Sequence, residues 1–245
     1  MKRILSIGIL IAAVLIIILS ALLLWRIFAA PEEGDGVVLI LLYHTFADGE
    51  VTDPGVYTTA EKFEEDIQTL LGFGLRSLSL YDFYEGNYDP NGRYLIITFD
   101  DGYLTNYEVA FPILQRLNCY ADIFKNTDND YMEHHFSYAQ AREMEASGLV
   151  AIHSHFPVHE RVTEYEADEF IRLLNGSFDT LERELGARKY RFFAYPYGNH
   201  SRETFDAAKA NGVDLQFVQT PLFDAPGLIV RVNVDYGTDI TLLVP

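Results

Sequence analysis

The chain has a single cysteine, Cys119, so no intrachain disulfide can form and stability must come from packing or from a bound metal. It is also poor in positive charge, with 18 Lys and Arg against 36 Asp and Glu and a formal net charge of −18. A surface of that sign repels phosphate backbones, which excludes nucleic acid as a partner, but it tolerates or attracts a neutral or cationic glycan. Internal repeats are lacking, and so are low-complexity tracts beyond the first thirty residues, which argues against solenoids and disordered tails.

Those first thirty residues are a different material. Ile4 to Trp25 runs uncharged and strongly apolar after Lys2 and Arg3, about the length a membrane-spanning helix needs and longer than the apolar region of most cleaved signal peptides. Basic residues before it and Glu32, Glu33 and Asp35 after it predict an amino end in the cytoplasm and an exported remainder. The expected organisation is a signal-anchor helix over residues 1–30, a linker over 31–36 and a folded domain over 37–245. The expected location is then a cell membrane crossed once, with the folded domain outside the cytoplasm.

From Val37 onward, short apolar runs alternate with helical patterns. Strands are expected at Val37–Tyr43, near 76–80, 94–99, 120–124, 149–153, 190–194, 215–218 and 228–234. Helices are expected near 106–117, 137–147, 164–185 and 201–211, with another opened by Thr58-x-x-Glu61, which has the form of a capping box. Alternation of this kind predicts an α/β domain around a parallel sheet, open or closed into a barrel.

Two clusters of chemically capable residues stand where expected strands end, the usual place for catalytic groups in such folds. One is Thr98-Phe99-Asp100-Asp101-Gly102-Tyr103, whose adjacent carboxylates offer one group to a metal and one to proton transfer. The other is His153-Ser154-His155-Phe156-Pro157-Val158-His159, three of the chain's seven histidines within seven residues. Two imidazoles four residues apart can converge on a divalent ion together with one carboxylate, leaving positions open for water. Either cluster alone could be inert: an Asp-Asp-Gly turn, or a surface histidine patch.

Taken in order, Thr98-Phe99-Asp100-Asp101-Gly102-Tyr103, Arg142 to Gly148 leading into Ser154-His155-x-x-x-His159, and Phe193-Ala194-Tyr195-Pro196-Tyr197-Gly198 resemble the pattern of the polysaccharide deacetylases of the NodB-homology type, carbohydrate esterase family 4. The resemblance implies a distorted (β/α)7-type barrel and a metal-dependent hydrolase that removes acetyl groups from N-acetylated sugars. It implies that Asp101, His155 and His159 hold the metal, zinc first with cobalt, nickel or manganese as alternatives. Asp100 is then the general base, and the backbone N–H of Tyr197 donates to the oxyanion. The family usually takes its general acid from a histidine near the carboxyl end, but the last histidine here is His200. Leu39-Ile40-Leu41-Leu42-Tyr43-His44 has the look of that motif at the start of the domain, so a permuted barrel order with His44 as the acid is expected. A Tyr-His pair opening the domain is similar to the branch acting on poly-β-1,6-N-acetylglucosamine. The implied partner is therefore an N-acetylated polysaccharide of that kind, with peptidoglycan or chitin-type chains as alternatives.

The chain departs from the family pattern in three places. Ala194 stands where many members carry an arginine that orients the base, with Arg231 a candidate substitute; Phe156 replaces a Ser or Thr; and no fourth motif is recognisable around Asp214 to Gln219. These departures keep open a decayed barrel that only binds glycan, and an O-acetyl esterase on the same scaffold. His153 could join the metal or face substrate, since it shares a strand face with His155. His134 and His135 read as solvated loop residues, and Tyr81, Phe83, Tyr84 and Tyr88 as either sugar-stacking or ordinary barrel aromatics.

Overall fold

The protein is described by a computed structural model over residues 36–47, 56–129 and 133–244. The expected membrane helix over residues 1–30 lies outside these residues; among the described residues, no helix is long and apolar enough to cross a membrane.

β1 (Val37–Tyr43) pairs in parallel along its whole length with β5 (Arg93–Phe99), while the short β2 (Thr45–Phe46) and β3 (Tyr57–Thr58) pair with each other in a separate two-stranded sheet. The order then runs through β6 (Ala121–Lys125), β7 (Val150–Ser154), β8 (Phe192–Ala194), β9 (Leu215–Val218) and β10 (Leu228–Val230), every neighbour parallel. β11 (Val232–Asn233) pairs with β1 on its other side. β10 and β11 are one extended segment interrupted at Arg231. There the chain changes partner: the Arg231 N–H donates to the Val218 carbonyl of β9 at 2.9 Å, and the Val234 N–H to the Leu42 carbonyl of β1 at 2.8 Å. The sheet has nine strands. With β10 and β11 counted as one, and β4 (Arg76–Ser77) set aside as a short flank of β5, seven staves close on themselves through the Arg231 switch.

Alternation along the staves divides the core in two. Residues such as Leu41, Ile97, Ile123, Ile152 and Phe193 face outward and pack on helices, including Phe63, Ile67 and Leu70 of α1 (Ala60–Gly72). Ile40, Ile96, Phe124, Phe192, Ala194 and Phe217 fill the barrel interior. The i, i+4, i+7 spacing of the α1 residues is what makes that segment amphipathic, and its cap is Thr59, one residue beyond the expected box, whose side chain accepts from the Lys62 N–H.

The sequence reading missed a helix. Where it extended a strand to residue 80, Ser79 caps α2 (Leu80–Glu85), which ends at Gly86. α2 packs on the amino-terminal ends of the staves: Leu80 is fully buried, the Tyr81 ring lies 5.7 Å from that of Phe192, and the Tyr84 ring 4.7 Å from that of Tyr190. Of the aromatic residues weighed as sugar-stacking, Tyr81, Phe83 and Tyr88 therefore pack against the barrel interior at the end away from the aspartates, and Tyr84 is exposed beside Tyr190. The remaining helices, α3 (Phe111–Leu117, preceded by a π turn at Asn106–Ala110), α4 (Tyr138–Ala146), α5 (Ala167–Leu185) and α6 (Arg202–Ala210), lie within a few residues of their expected positions.

Candidate active site

The carboxyl ends of β1, β5 and β7 lie side by side, so His44, Asp100 and Asp101, and His155 follow from three neighbouring or near-neighbouring staves. After Phe99 the backbone enters a turn in which Asp101 (φ +69°) and Gly102 (φ +78°) are both left-handed. Asp tolerates that conformation, and at position 102 a Cβ would sit 2.8 Å from Lys125 Cγ, so glycine is required on two counts. The turn sends two consecutive carboxylates into one site, where regular strand geometry would put them on opposite faces.

Their partners differ. Asp100, 2% exposed, is gripped by the Arg231 guanidinium in a two-pronged pair, Nη1 to Oδ1 and Nη2 to Oδ2, each 2.7 Å. Arg231 Nη1 also donates to Thr98 Oγ1 at 3.2 Å, and Thr98 in turn donates to the Leu41 carbonyl at 2.7 Å. Arg231 is itself buried, with its guanidinium carbon 5.0 Å from the centre of the Phe124 ring. Burial pushes the Asp100 pKa up, but the charge of Arg231, then that of His155, and the Arg231 hydrogen bonds outweigh it, and the net direction is down.

Asp101 faces the histidines. Its Oδ1 lies 3.4 Å from His155 Nε2 and 3.3 Å from His159 Nε2. The three side chains offer donor atoms within 4.8 Å of one another. Asp101 Oδ1 is buried without a hydrogen-bond partner, a costly arrangement unless a cation sits there. His155 donates Nδ1–H to the Ala194 carbonyl at 2.9 Å, which turns its Nε2 toward the centre. The residues present therefore fit a metal of the kind held by two nitrogens and one carboxylate. Burial raises the Asp101 pKa, yet the adjacent His155 imidazole, and after it the charge of His159, drive it well down; burial lowers that of His155, while Asp100 and Asp101 carry it upward. For His159, burial prevails and the direction is down.

His44 enters at the same point. Its backbone carbonyl is held by Asn106 Nδ2 at 2.8 Å. Burial lowers its pKa against the upward pull of Asp100 and Asp101, with Arg231 and His155 adding to the downward side. On the far side of His159, Tyr197 has φ +57° in the turn Pro196–Gly198; its ring is 4.1 Å from that of His159, with 56% of the residue exposed. An open groove of about 660 Å³ starts here, lined by His159, Glu160, Arg161, Glu164, Tyr165 and Tyr197.

All six expected site residues thus come together, and Arg231 takes up the place that Ala194 leaves empty. Other readings are corrected. His153 turns into the barrel and pairs with Asp122 at 2.8 Å, so it is neither ligand nor substrate contact. His135 is not a solvated loop residue: it is partly buried and bridged to Tyr103, and the two rings stack 5.1 Å apart, whereas His134 is exposed. The segment searched for a fourth motif is structural, since Asp214 accepts from the Arg191 N–H and the Tyr84 hydroxyl, and Gln216 from the Tyr195 hydroxyl. Sequence reasoning passed over Asn126, which is fully buried behind the site. A lone Asn after a strand carries no signal of its own.

Known proteins resemble this chain in sequence and in fold. YxkH of Bacillus subtilis (strain 168), whose name assigns it provisionally to the polysaccharide deacetylases, is 26% identical over 188 residues, 74% of this chain and 64% of its own length. Two solved structures share the fold. One is a polysaccharide deacetylase from Bacillus cereus, at 23% identity and TM-score 0.73, covering 83% of this chain and 66% of that one. The other is a de-N-acetylase from Aggregatibacter actinomycetemcomitans, at 23% identity and TM-score 0.73, covering 84% of this chain and 99% of that one. This chain thus spans a little under two thirds of the length of YxkH and of the Bacillus cereus protein. The sequence signature described as polysaccharide deacetylase matches residues 87–215, just over half of the chain and the stretch that holds both aspartates and the two histidines that face Asp101, and on that match the chain belongs to the polysaccharide deacetylase family.

Proposed function

We propose that the chain hydrolyses N-acetyl groups of N-acetylglucosamine residues in a polysaccharide outside the cytoplasm, a β-1,6-linked polymer in preference to peptidoglycan or chitin-type chains. The observation that carries this reading is the division of labour between adjacent carboxylates, Asp100 on Arg231 and Asp101 between two imidazoles. One carboxylate is left for proton transfer and one is committed to a cation. The two-nitrogen, one-carboxylate donor set suits zinc, with cobalt, nickel or manganese as alternatives. The apolar run from Ile4 to Trp25 supports attachment to the cell membrane as a single-pass anchor.

An amide resists attack because its carbonyl is a weak electrophile and its amine a poor leaving group. When bound at Asp101, His155 and His159, a divalent ion supplies Lewis-acid polarisation and lowers the pKa of a water. Asp100 takes the proton of the attacking water, and Arg231 fixes the direction in which the carboxylate presents its lone pairs. The Tyr197 N–H donates to the developing oxyanion, on a turn whose left-handed backbone fixes the direction of that bond. His44 returns a proton to the leaving amine from the stave beside Asp100. The permuted order costs nothing in geometry, because β1 lies directly against β5.

The alternative of a decayed, glycan-binding barrel rested on Phe156, the missing fourth motif and Ala194, the last being the departure that touches the catalytic base. Arg231 answers that departure, since the base has an arginine from a different stave. The test is acetate release from β-1,6- and β-1,4-linked N-acetylglucosamine oligomers by the purified chain, metal-stripped and then with zinc restored. Zinc-dependent release that is faster on the β-1,6 oligomer, and that drops by about 10²–10⁴ in Asp100→Asn, is expected. Saccharide binding without turnover under any metal would return the decision to the binding module.

A further inference from the structure

Two histidines four residues apart converge readily on a helix, where backbone hydrogen bonds within the element hold i and i+4 on one face. The stretch from His155 to His159 has no such support. It belongs to no helix or strand, and Phe156 within it has φ +71°, a left-handed conformation that bulky side chains avoid. The turn is held from outside, by the end of β6 and the loop that follows it. The His155 N–H donates to the Lys125 carbonyl at 2.9 Å, the Thr127 N–H to the Phe156 carbonyl at 3.1 Å and the Asp128 N–H to the Pro157 carbonyl at 3.0 Å. One side chain joins them: Asn126 Nδ2 donates to the His155 carbonyl at 2.5 Å. The backbone N–H of the same residue points to the Asp101 carbonyl at 3.5 Å, and Asn126 is 0% exposed.

We propose that Asn126 is a positioning residue for the metal centre. It ties the segment that carries Asp101 to the segment that carries His155 and His159, and so sets the spacing between the carboxylate and the two imidazoles. The proposal rests on the metal reading given above and concerns how the site is assembled, not which bond is cleaved. Truncating the side chain leaves the main-chain bonds of Thr127 and Asp128 in place, but it strips a buried carbonyl of its donor at a ligand residue. With that restraint gone, the strained Phe156 backbone can relax and carry His155 away from Asp101.

The experiment compares Asn126→Ala with Thr127→Val in the full chain. Thr127 is in the same loop and its buried hydroxyl has no hydrogen-bond partner among the described residues, so it controls for loop damage alone. Three quantities are read: zinc affinity by chelator competition, the visible spectrum of the cobalt-loaded protein, and the urea midpoint with and without zinc. Asn126→Ala is expected to weaken zinc roughly 10–100-fold, to change the cobalt spectrum, and to shrink the rise in midpoint that zinc produces. Thr127→Val should leave all three as in the wild type. If Asn126→Ala lowers both midpoints equally while zinc affinity and the cobalt spectrum stay as they were, Asn126 is merely structural and the proposal is wrong. Should that variant not fold, Asn126→Ser, which keeps a shorter donor, is judged by the same criteria. A wild type that binds no zinc would overturn the metal reading and this proposal with it, whereas a wild type that binds zinc but releases no acetate would overturn only the proposed activity.

Discussion

The barrel holds two buried pairings of aspartate with histidine, one at each end of its interior, and they have opposite characters. Toward the amino-terminal ends of the staves, both oxygens of Asp122 are satisfied, Oδ1 by His153 Nε2 at 2.8 Å and Oδ2 by the Leu80 N–H at 3.1 Å. The His153 ring is enclosed by Tyr81, Phe124 and Phe192 at 5.1–5.7 Å. At the carboxyl ends, Asp101 Oδ1 has two imidazole nitrogens at 3.3–3.4 Å and no hydrogen bond. Cavity volume does not separate the two, since an opening of about 560 Å³ touches Asp122 and one of about 660 Å³ touches His159. What separates them is satisfaction. A buried polar pair whose hydrogen bonds are complete is a piece of core; one whose carboxylate oxygen converges on two imidazole nitrogens without a hydrogen bond is a candidate cation site.

The comparison is broken most severely by making the same substitution at both ends. Asp101→Asn is expected to abolish stoichiometric zinc binding and reduce acetate release to background, while Asp122→Asn keeps full zinc stoichiometry; metal analysis of the two purified variants decides it. Zinc retained by Asp101→Asn would remove the carboxylate from the ligand set.

Next in size is Arg231→Ala. It leaves the Asp100 charge buried without its partner, which costs on the order of 3–5 kcal/mol and is measured by urea unfolding. Acetate release should fall in parallel, but zinc affinity should stay within a few-fold, because Asp100 is outside the proposed ligand set. Arg231→Lys keeps the charge and loses the two-pronged geometry. It is therefore expected to recover most of the stability and little of the activity. For Asp122→Asn the expected loss is smaller, about 1–3 kcal/mol from one compromised buried hydrogen bond, with no change in metal affinity.

How much of this was legible beforehand depends on the kind of signal. Staves such as β1 and β5 are continuous β-rich runs between polar segments, and their extents were readable almost to the residue. The six candidate site residues could be named in advance because the motifs that carry them are local. The role of His153 was not, since the strand face it shares with His155 is a one-dimensional fact; what decides its use is depth along the barrel, set by Asp122 and Phe192 from other staves. α2 was missed because Leu80-Tyr81-Asp82-Phe83-Tyr84-Glu85 is too short and too aromatic for helical periodicity, and its helix is supported by packing on Tyr190 and Phe192. Arg231 could be named as a candidate, but its bond to Asp100 spans 131 residues of sequence and depends on a partner switch between β9 and β1 that no local pattern records.

The smallest expected effect is at Tyr197, and it sharpens the distinction between a residue used through its backbone and one used through its side chain. If the N–H at this position is the oxyanion donor, the ring is dispensable for the chemical step. Tyr197→Asn keeps a residue that accepts φ +57° and removes the ring beside His159. It is expected to leave kcat within a few-fold and stability within about 1 kcal/mol, and to raise KM, because the exposed ring at the mouth of the groove is lost as a surface for sugar. Steady-state kinetics on the oligomers measure both constants. Tyr197→Pro does not serve the purpose, since it removes the N–H and forbids the turn at once. If Tyr197→Asn instead loses kcat as heavily as Asp100→Asn, the side chain carries the chemistry and the oxyanion donor must be another group.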